Sequence, residues 1–480
     1  MFEEVARQYL VFVIARGLAK SAVTELQAFT SSGPAVTAHI PQSQFLEFQN
    51  YSFRTDIREI DLQLRAKLQQ ISVYLGSLCC VNVGVVAHSR VGASRQFKKD
   101  DVVLNVPGKG RKPYVTGDNV DRYEIFWQGE FLDYEANREN FHRPKFPELF
   151  ESPKVIVRRI SGKDNQVIAC IDNNNHYYSN DNLMHVVIWT PQLQKLQAPG
   201  SYEVLRDCAK YEIEFIGALL NSNLISKYFA DFIATDTLQG SYTGVYPEDL
   251  RQLPVRRLGF TTPEKRRAGL VKEGITEALR WAEEKSQIPK SKTPTEAESF
   301  KAFGESKIGR WVAARLAAQP EEADCVHDLL AHLAGRMIEM NKEKQGEIKR
   351  FLAWLESALK ISSGDKGKGR QGEKGIEALT GKSRLKNYLG DYQKGQEPLG
   401  YDELEDILFR NRGKLGVSVS DAKFTAKLRA EYEKSLAALL PLKQKLARTD
   451  RLIDWVVYGL YGLTEEEVRV VEGRQTNDNH

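Results

Sequence analysis

Cysteine is scarce: of five in 480 residues only Cys79 and Cys80 lie close together, so neither a Cys-x-x-Cys knuckle nor an even disulfide framework can form. They read as free core thiols. Long apolar runs are scarce too, and the longest, Tyr9 to Ala15, falls well short of the roughly 20 residues of a membrane span. Glu3 and Glu4 stand where a secretory signal carries positive charge. A soluble, cytoplasmic protein with no membrane partner is expected. Neither sign of charge dominates, since 68 Lys and Arg against 64 Asp and Glu leave only +4. Any case for a nucleic-acid partner must come from local clusters. His327 and His332 are five apart, off the i, i+4 spacing that puts two ligands on one helical face, and no His-Glu-x-x-His occurs. The Gly-Lys-Gly sequences at 108–110 and 367–369 lack the strand and spacing of a phosphate-binding loop.

What is present is patterned as α+β. Residues 2–16 read as a buried strand bounded by Gly17. Ile60, Leu62, Leu64, Leu68, Ile71 and Leu75 predict a helix within 56–78. Short β-type runs follow at 81–86, 123–127, 154–160, 167–171 and 185–189, separated by Gly, Asn, Asp and Pro clusters, which predicts a mainly antiparallel twisted sheet with long loops. A wide apolar stripe predicts a helix over 210–233, and beyond Leu258 the pattern is almost wholly helical. Helix starts are signalled by Thr293-Pro294-Thr295-Glu296 and by a capping box of Thr464 with Glu467. Residues 362–397, rich in Gly, Lys and Arg, read as a flexible basic loop.

The candidate contacts to nucleic acid lie in loops of the sheet region. Arg90, Arg95 and Lys98 follow the Val83-Gly84-Val85 turn, Arg111 and Lys112 follow Gly108 and Gly110, and Arg138, Arg143 and Lys145 interleave with Phe141 and Phe146. Such cations neutralise phosphates, and a guanidinium can also bond the two acceptors of guanine. Asp100, Asp101, Glu135 and Glu139 sit among them, so solvated loop charge is the alternative reading. Arg158 and Arg159 are adjacent on an expected strand, where alternation sends one to each face. Asn174 and Tyr177 belong to an amide-rich aromatic stretch that suits adenine edges or stacking, and equally an ordinary tight turn.

Lys112 to Tyr123, the strand from Lys154 to Ile160, Leu219-Leu220-Asn221-Ser222-Asn223 and the segment from Tyr246 to Val255 together resemble the TaqI-type C-terminal specificity domain of type IIG restriction-modification enzymes and phage-defence adenine-N6 methyltransferases. Asp454 to Val468 and the helix around Met337 to Gln345 are similar to the closing segments of that family. The resemblance implies that residues 1–75 are the last strand and linker helix of a methyltransferase domain, 76–257 the target-recognition domain and 258–480 a helical C-terminal region. It further implies double-stranded DNA as partner. Family members flip an adenine into a pocket built by an Asn-Pro-Pro-aromatic motif. Neither that motif nor a glycine-rich cofactor loop occurs in the chain. No catalytic residue is carried over, and the chain is expected to be inactive alone. S-adenosylmethionine is expected on a separate methyltransferase catalytic subunit. The rival readings are a complete enzyme with an unrecognised site and a non-catalytic helical scaffold without sequence-specific DNA binding.

Overall fold

The computed structural model describes residues 23–30, 33–45, 57–161, 166–234, 244–283, 296–360 and 384–473. The strand expected over 2–16 and the cap at Thr293 lie outside these residues. The architecture is α+β, and no helix among the described residues is long and apolar enough to cross a membrane. The chain divides into two compact units, one of Met1–Gly274, Ile288–Ala331 and Asp454–His480, the other of Ile275–Gln287 and His332–Ile453.

The end of the chain packs into the first unit. The Asn223 N–H donates to Asp454 Oδ1 at 2.8 Å, and Lys67 on the helix Glu59–Ile71 donates to the Gly462 carbonyl at 2.6 Å and pairs with Glu467 at 2.7 Å. Glu467 also receives the Thr464 N–H at 2.7 Å while Thr464 Oγ1 accepts the Glu467 N–H at 3.2 Å, so the capping box forms as expected. The linker helix is shorter than the pattern of 56–78 suggested. It stops at Ile71, where Ser72–Tyr74 becomes a strand paired with Pro254–Arg256.

A four-stranded antiparallel sheet forms the centre of the first unit, in the order Ala169–Asp172, Lys154–Arg158, Leu183–Ile188, Cys79–Val83. Val155, Ile156 and Val157 are fully buried, as their uninterrupted apolar run requires of a strand covered on both faces. The helix Ile213–Asn221 lies on this sheet so closely that a Cβ on Gly217 would stand 2.5 Å from the Ile171 side chain. Asn221 locks the contact, accepting the Ala169 N–H at 3.0 Å and donating to its carbonyl at 2.9 Å. The single helix expected over 210–233 is broken here. Ser222 is extended, and its Oγ caps a new helix, Asn223–Tyr228, by accepting the Ile225 N–H at 3.3 Å.

A smaller sheet orders Tyr178–Ser179, Arg111–Val115, Phe131–Asp133 and Val103–Leu104, its first pair parallel. The strand expected over 81–86 is interrupted where this sheet approaches the central one. Val85 bridges Asn180, and a Cβ on Gly84 would lie 2.2 Å from the Asn180 carbonyl oxygen.

In the second unit, Phe351, Leu355, Leu385, Tyr388, Leu404, Leu428 and Tyr432 share one core. Of the flexible loop expected over 362–397, the part to 383 lies outside the described residues. The rest is packed instead of forming a flexible loop: Leu385, Tyr388 and Leu389 are buried, and Lys443 donates to the Leu389 carbonyl at 2.8 Å.

His185, fully buried on the central sheet, is held neutral: burial, then the charges of Lys154 and Lys145, push its pKa well below the usual 6.5. Its Nε2 lies 2.7 Å from Ser179 Oγ. In the unfolded chain this ring takes up a proton near its ordinary pKa, while in the folded protein it does not. Stability from this group is therefore present above pH 6.5 and lost as pH falls below it, by up to about 1.4 kcal/mol per pH unit. Urea midpoints from pH 8 to 5 should show that slope, reduced in His185→Gln.

Candidate nucleic-acid interface

Two loops that are 40 residues apart in sequence meet because Val86–Ser89 pairs with Phe141–His142 as a two-stranded ribbon. Phe97 packs edge-on against Phe141, their ring centroids 5.0 Å apart, and closes the first loop over the ribbon. Backbone and side chains then stitch the loops together. Arg90 N–H donates to the Asn140 carbonyl at 2.8 Å, Arg90 Nε to the Glu139 carbonyl at 3.1 Å, Arg95 to Asn137 Oδ1 at 3.0 Å and Ser94 Oγ to Asn140 Oδ1 at 2.9 Å.

The chemistry of these acceptors matters. Carbonyl and amide oxygens orient the guanidinium groups without neutralising them, so the charges stay available to an anion. Arg90, Arg95, Lys98, Arg138 and Arg143 are all exposed, and among the described residues none of them joins an ion pair. The ribbon therefore carries Arg90, Arg95, Lys98 and Arg138 at one end of a basic finger, and Arg143 follows its last strand at the base, beside Lys145.

Lys145 belongs to the base of the finger. Its ammonium is half-buried and donates to Asn82 Oδ1 at 2.8 Å, and burial followed by the Arg143 charge lowers its pKa. Lys112 is placed elsewhere and is spent on the protein itself. It pairs with Glu151 at 2.9 Å and with Glu135 at 3.0 Å, and these bonds outweigh its burial and raise its pKa. Arg111 donates to the Val106 carbonyl at 3.1 Å and lies partly exposed beside it.

The ladder containing Arg158 stops at that residue rather than at Ile160. Arg159 lies beyond it with its guanidinium 5.0 Å from the centre of the half-exposed Tyr246 ring. Arg158 and the Gly84 turn leave the central sheet at the same end, since Val83 pairs Met184 and Met184 pairs Val157. Asn174 leaves from the opposite end, after Asp172, which pairs Lys154. Five residues of strand separate the two ends by about 13 Å. Asn174 is exposed, whereas Tyr177 is buried with its N–H on Asp172 Oδ2 at 2.8 Å and its ring near Trp127. Tyr177 thus packs into the core beside a tight turn.

The sequence did not single out Tyr246, Asn140 or the stacked rings of His88 and His142, 5.1 Å apart. Only the exposed aromatic inside the Tyr246 to Val255 segment offered a signal. Glu212, His327 and Asp328 bring donor atoms within 4.8 Å of one another. Both His327 nitrogens are already bonded, Nε2 accepting the Glu212 N–H at 3.0 Å and Nδ1 facing Asp328 Oδ1 at 2.8 Å, so the cluster ties two segments together.

With the geometry in place, comparison with known families decides the kind of domain. Residues 112–255 match the TaqI-like C-terminal specificity domain. No curated protein matches the chain. The specificity domain has a DNA-recognition role, and restriction-modification is its setting. Its matched range takes in the Arg138–Lys145 loop, Arg158, Arg159 and Tyr246, while the Arg90–Lys98 loop lies upstream on a ribbon the domain completes.

Proposed function

We propose that this chain is the sequence-specific DNA-recognition component of an adenine-N6 methyltransferase or type IIG restriction-modification system, or of a phage-defence system of that kind. In this reading a separate S-adenosylmethionine-dependent catalytic part does the chemistry. The basic two-loop finger on a TaqI-like specificity domain is the observation that carries it. Arg90, Arg95, Lys98, Arg138 and Arg143 hold phosphates, with Lys145 supporting them. Arg158 and Arg159, at the same end of the central sheet, reach base edges, and Tyr246 fixes the plane of the Arg159 guanidinium. Arg111 and Asn174 have looser claims to flanking contacts, and Lys112 serves the fold.

The test is binding of duplex DNA by the full chain at several salt concentrations, followed by Arg158→Ala and Arg159→Ala. The wild type is expected to lose affinity steeply with salt. A base-reading arginine, when removed, costs about 1–3 kcal/mol of discrimination between duplexes, whereas a phosphate contact weakens all duplexes alike and reduces the salt slope by about one unit. Salt-independent, weak binding by the wild type would favour the scaffold reading instead.

A further inference from the structure

We propose that Val91 is the apolar reading contact of the basic finger and presses on the C5-methyl group of a thymine in the major groove. The inference rests on DNA recognition by this domain and names one contact within it. Val91 is 98% exposed, at the tip of the turn from Arg90 to Ala93. A lone exposed valine is ordinary on a protein surface. This one is held unusually firmly.

Ala93 N–H donates to the Arg90 carbonyl at 3.2 Å, and Gly92 supplies the positive φ of 73° that the turn requires. Gln96 Nε2 donates to the Arg90 and Ala93 carbonyls at 3.2 Å each, while its Oε1 accepts Ser89 Oγ at 2.9 Å. Ser94 and the Arg90 backbone tie the same turn to Asn140. Little conformational freedom is left to lose on binding.

Chemistry then selects the ligand. An apolar side chain fully in water contributes nothing to the free protein, and its gain appears only when another apolar group covers it. Arg90 and Arg95 flank the turn with unneutralised charge, so the surface that approaches is anionic. The apolar group that DNA displays in the major groove is the thymine methyl, and that groove admits a two-stranded ribbon. Valine is also short and stiff at χ1, which suits a contact with one methyl better than insertion between stacked bases.

The experiment selects duplexes from a randomised library on the full-length protein, then resynthesises a recovered duplex with deoxyuridine replacing thymidine one position at a time. At one thymine the wild type should lose about fourfold in affinity, the worth of one buried methyl group. Val91→Ser should bind the thymine duplex about fourfold more weakly and be indifferent to deoxyuridine at that position. A recovered duplex that shows no deoxyuridine effect at any position overturns the assignment while leaving DNA recognition intact. So does a Val91→Ser protein that keeps the full effect, or one that loses only duplex bending, the signature of a wedge. Recovery of no preferred duplex, with binding insensitive to salt, overturns the assignment and the functional reading together.

Discussion

Asp172→Ala is expected to destabilise the recognition domain by about 3–5 kcal/mol, the usual consequence of leaving a buried charge without its partner. Lys154 and Asp172 face each other across adjacent strands at 2.7 Å, and neither side chain reaches solvent. The Lys154 ammonium also donates to the Phe150 carbonyl. Asp172 does more than balance this charge: its two oxygens accept the Asn175 and Tyr177 N–H groups, each at 2.8 Å. Removing the carboxylate therefore strands an ammonium in the core and opens the turn that presents Asn174. Urea denaturation read by tryptophan fluorescence measures the loss. Lys154→Met combined with Asp172→Leu should recover part of it, because the buried charge is then gone while the two N–H groups remain unpaired. A single variant within 1 kcal/mol of wild type would show that the pair does not hold the sheet.

Arg95→Gln, Arg138→Gln and Arg143→Gln together should make the log–log dependence of DNA affinity on salt shallower by up to about 2.7 units, three phosphate contacts at about 0.9 each. The deficit is largest at low salt and shrinks as salt rises, since released counterions are worth less in a concentrated electrolyte. Thermal stability should fall only modestly, through the lost hydrogen bond from Arg95 to the buried Asn137, at about 1–3 kcal/mol. Arg138 and Arg143 are exposed, and substitutions at such surface positions usually stay within about 0.5 kcal/mol. Glutamine keeps an unbranched stem at Arg143, whose backbone already holds a positive φ of 60°. An unchanged slope would place the phosphate-binding surface elsewhere on the molecule.

Local chemistry by itself determined a good part of this protein. The run from Lys154 read as a strand and is one, the Thr464 and Glu467 box marked a helix start that forms, and the five cysteines, read as free core thiols, are all buried and free. The segments quoted from Lys112 to Val255 also carried enough order and spacing to announce a specificity domain. Other features were settled by residues distant in sequence. The apolar stripe over 210–233 cannot reveal that Ser222 caps a new helix while Asn221 bonds a strand some 50 residues upstream. The alternation of 81–86 cannot reveal that the backbone of Asn180 passes against Gly84. The glycine-rich composition before 384 likewise hid the packing of Leu385 and Tyr388, since a few apolar residues have no partners in view until the helices around Phe351 and Tyr432 are assembled.

The interface divides in the same way. Every cation of the finger was visible as a basic residue in a loop, but composition could not separate Lys112 from Arg138. Arg138 stands between Glu135 and Glu139 in sequence and Lys112 has no glutamate near it; in the fold Lys112 finds two carboxylates within 3.0 Å, and Arg138 stays exposed. Charge type is a local property, whereas the neutralisation of a charge depends on which acceptors the ribbon between Val86–Ser89 and Phe141–His142 brings near it. Long-range pairing therefore decided which cations face outward, and left Val91 at the tip of the turn they flank.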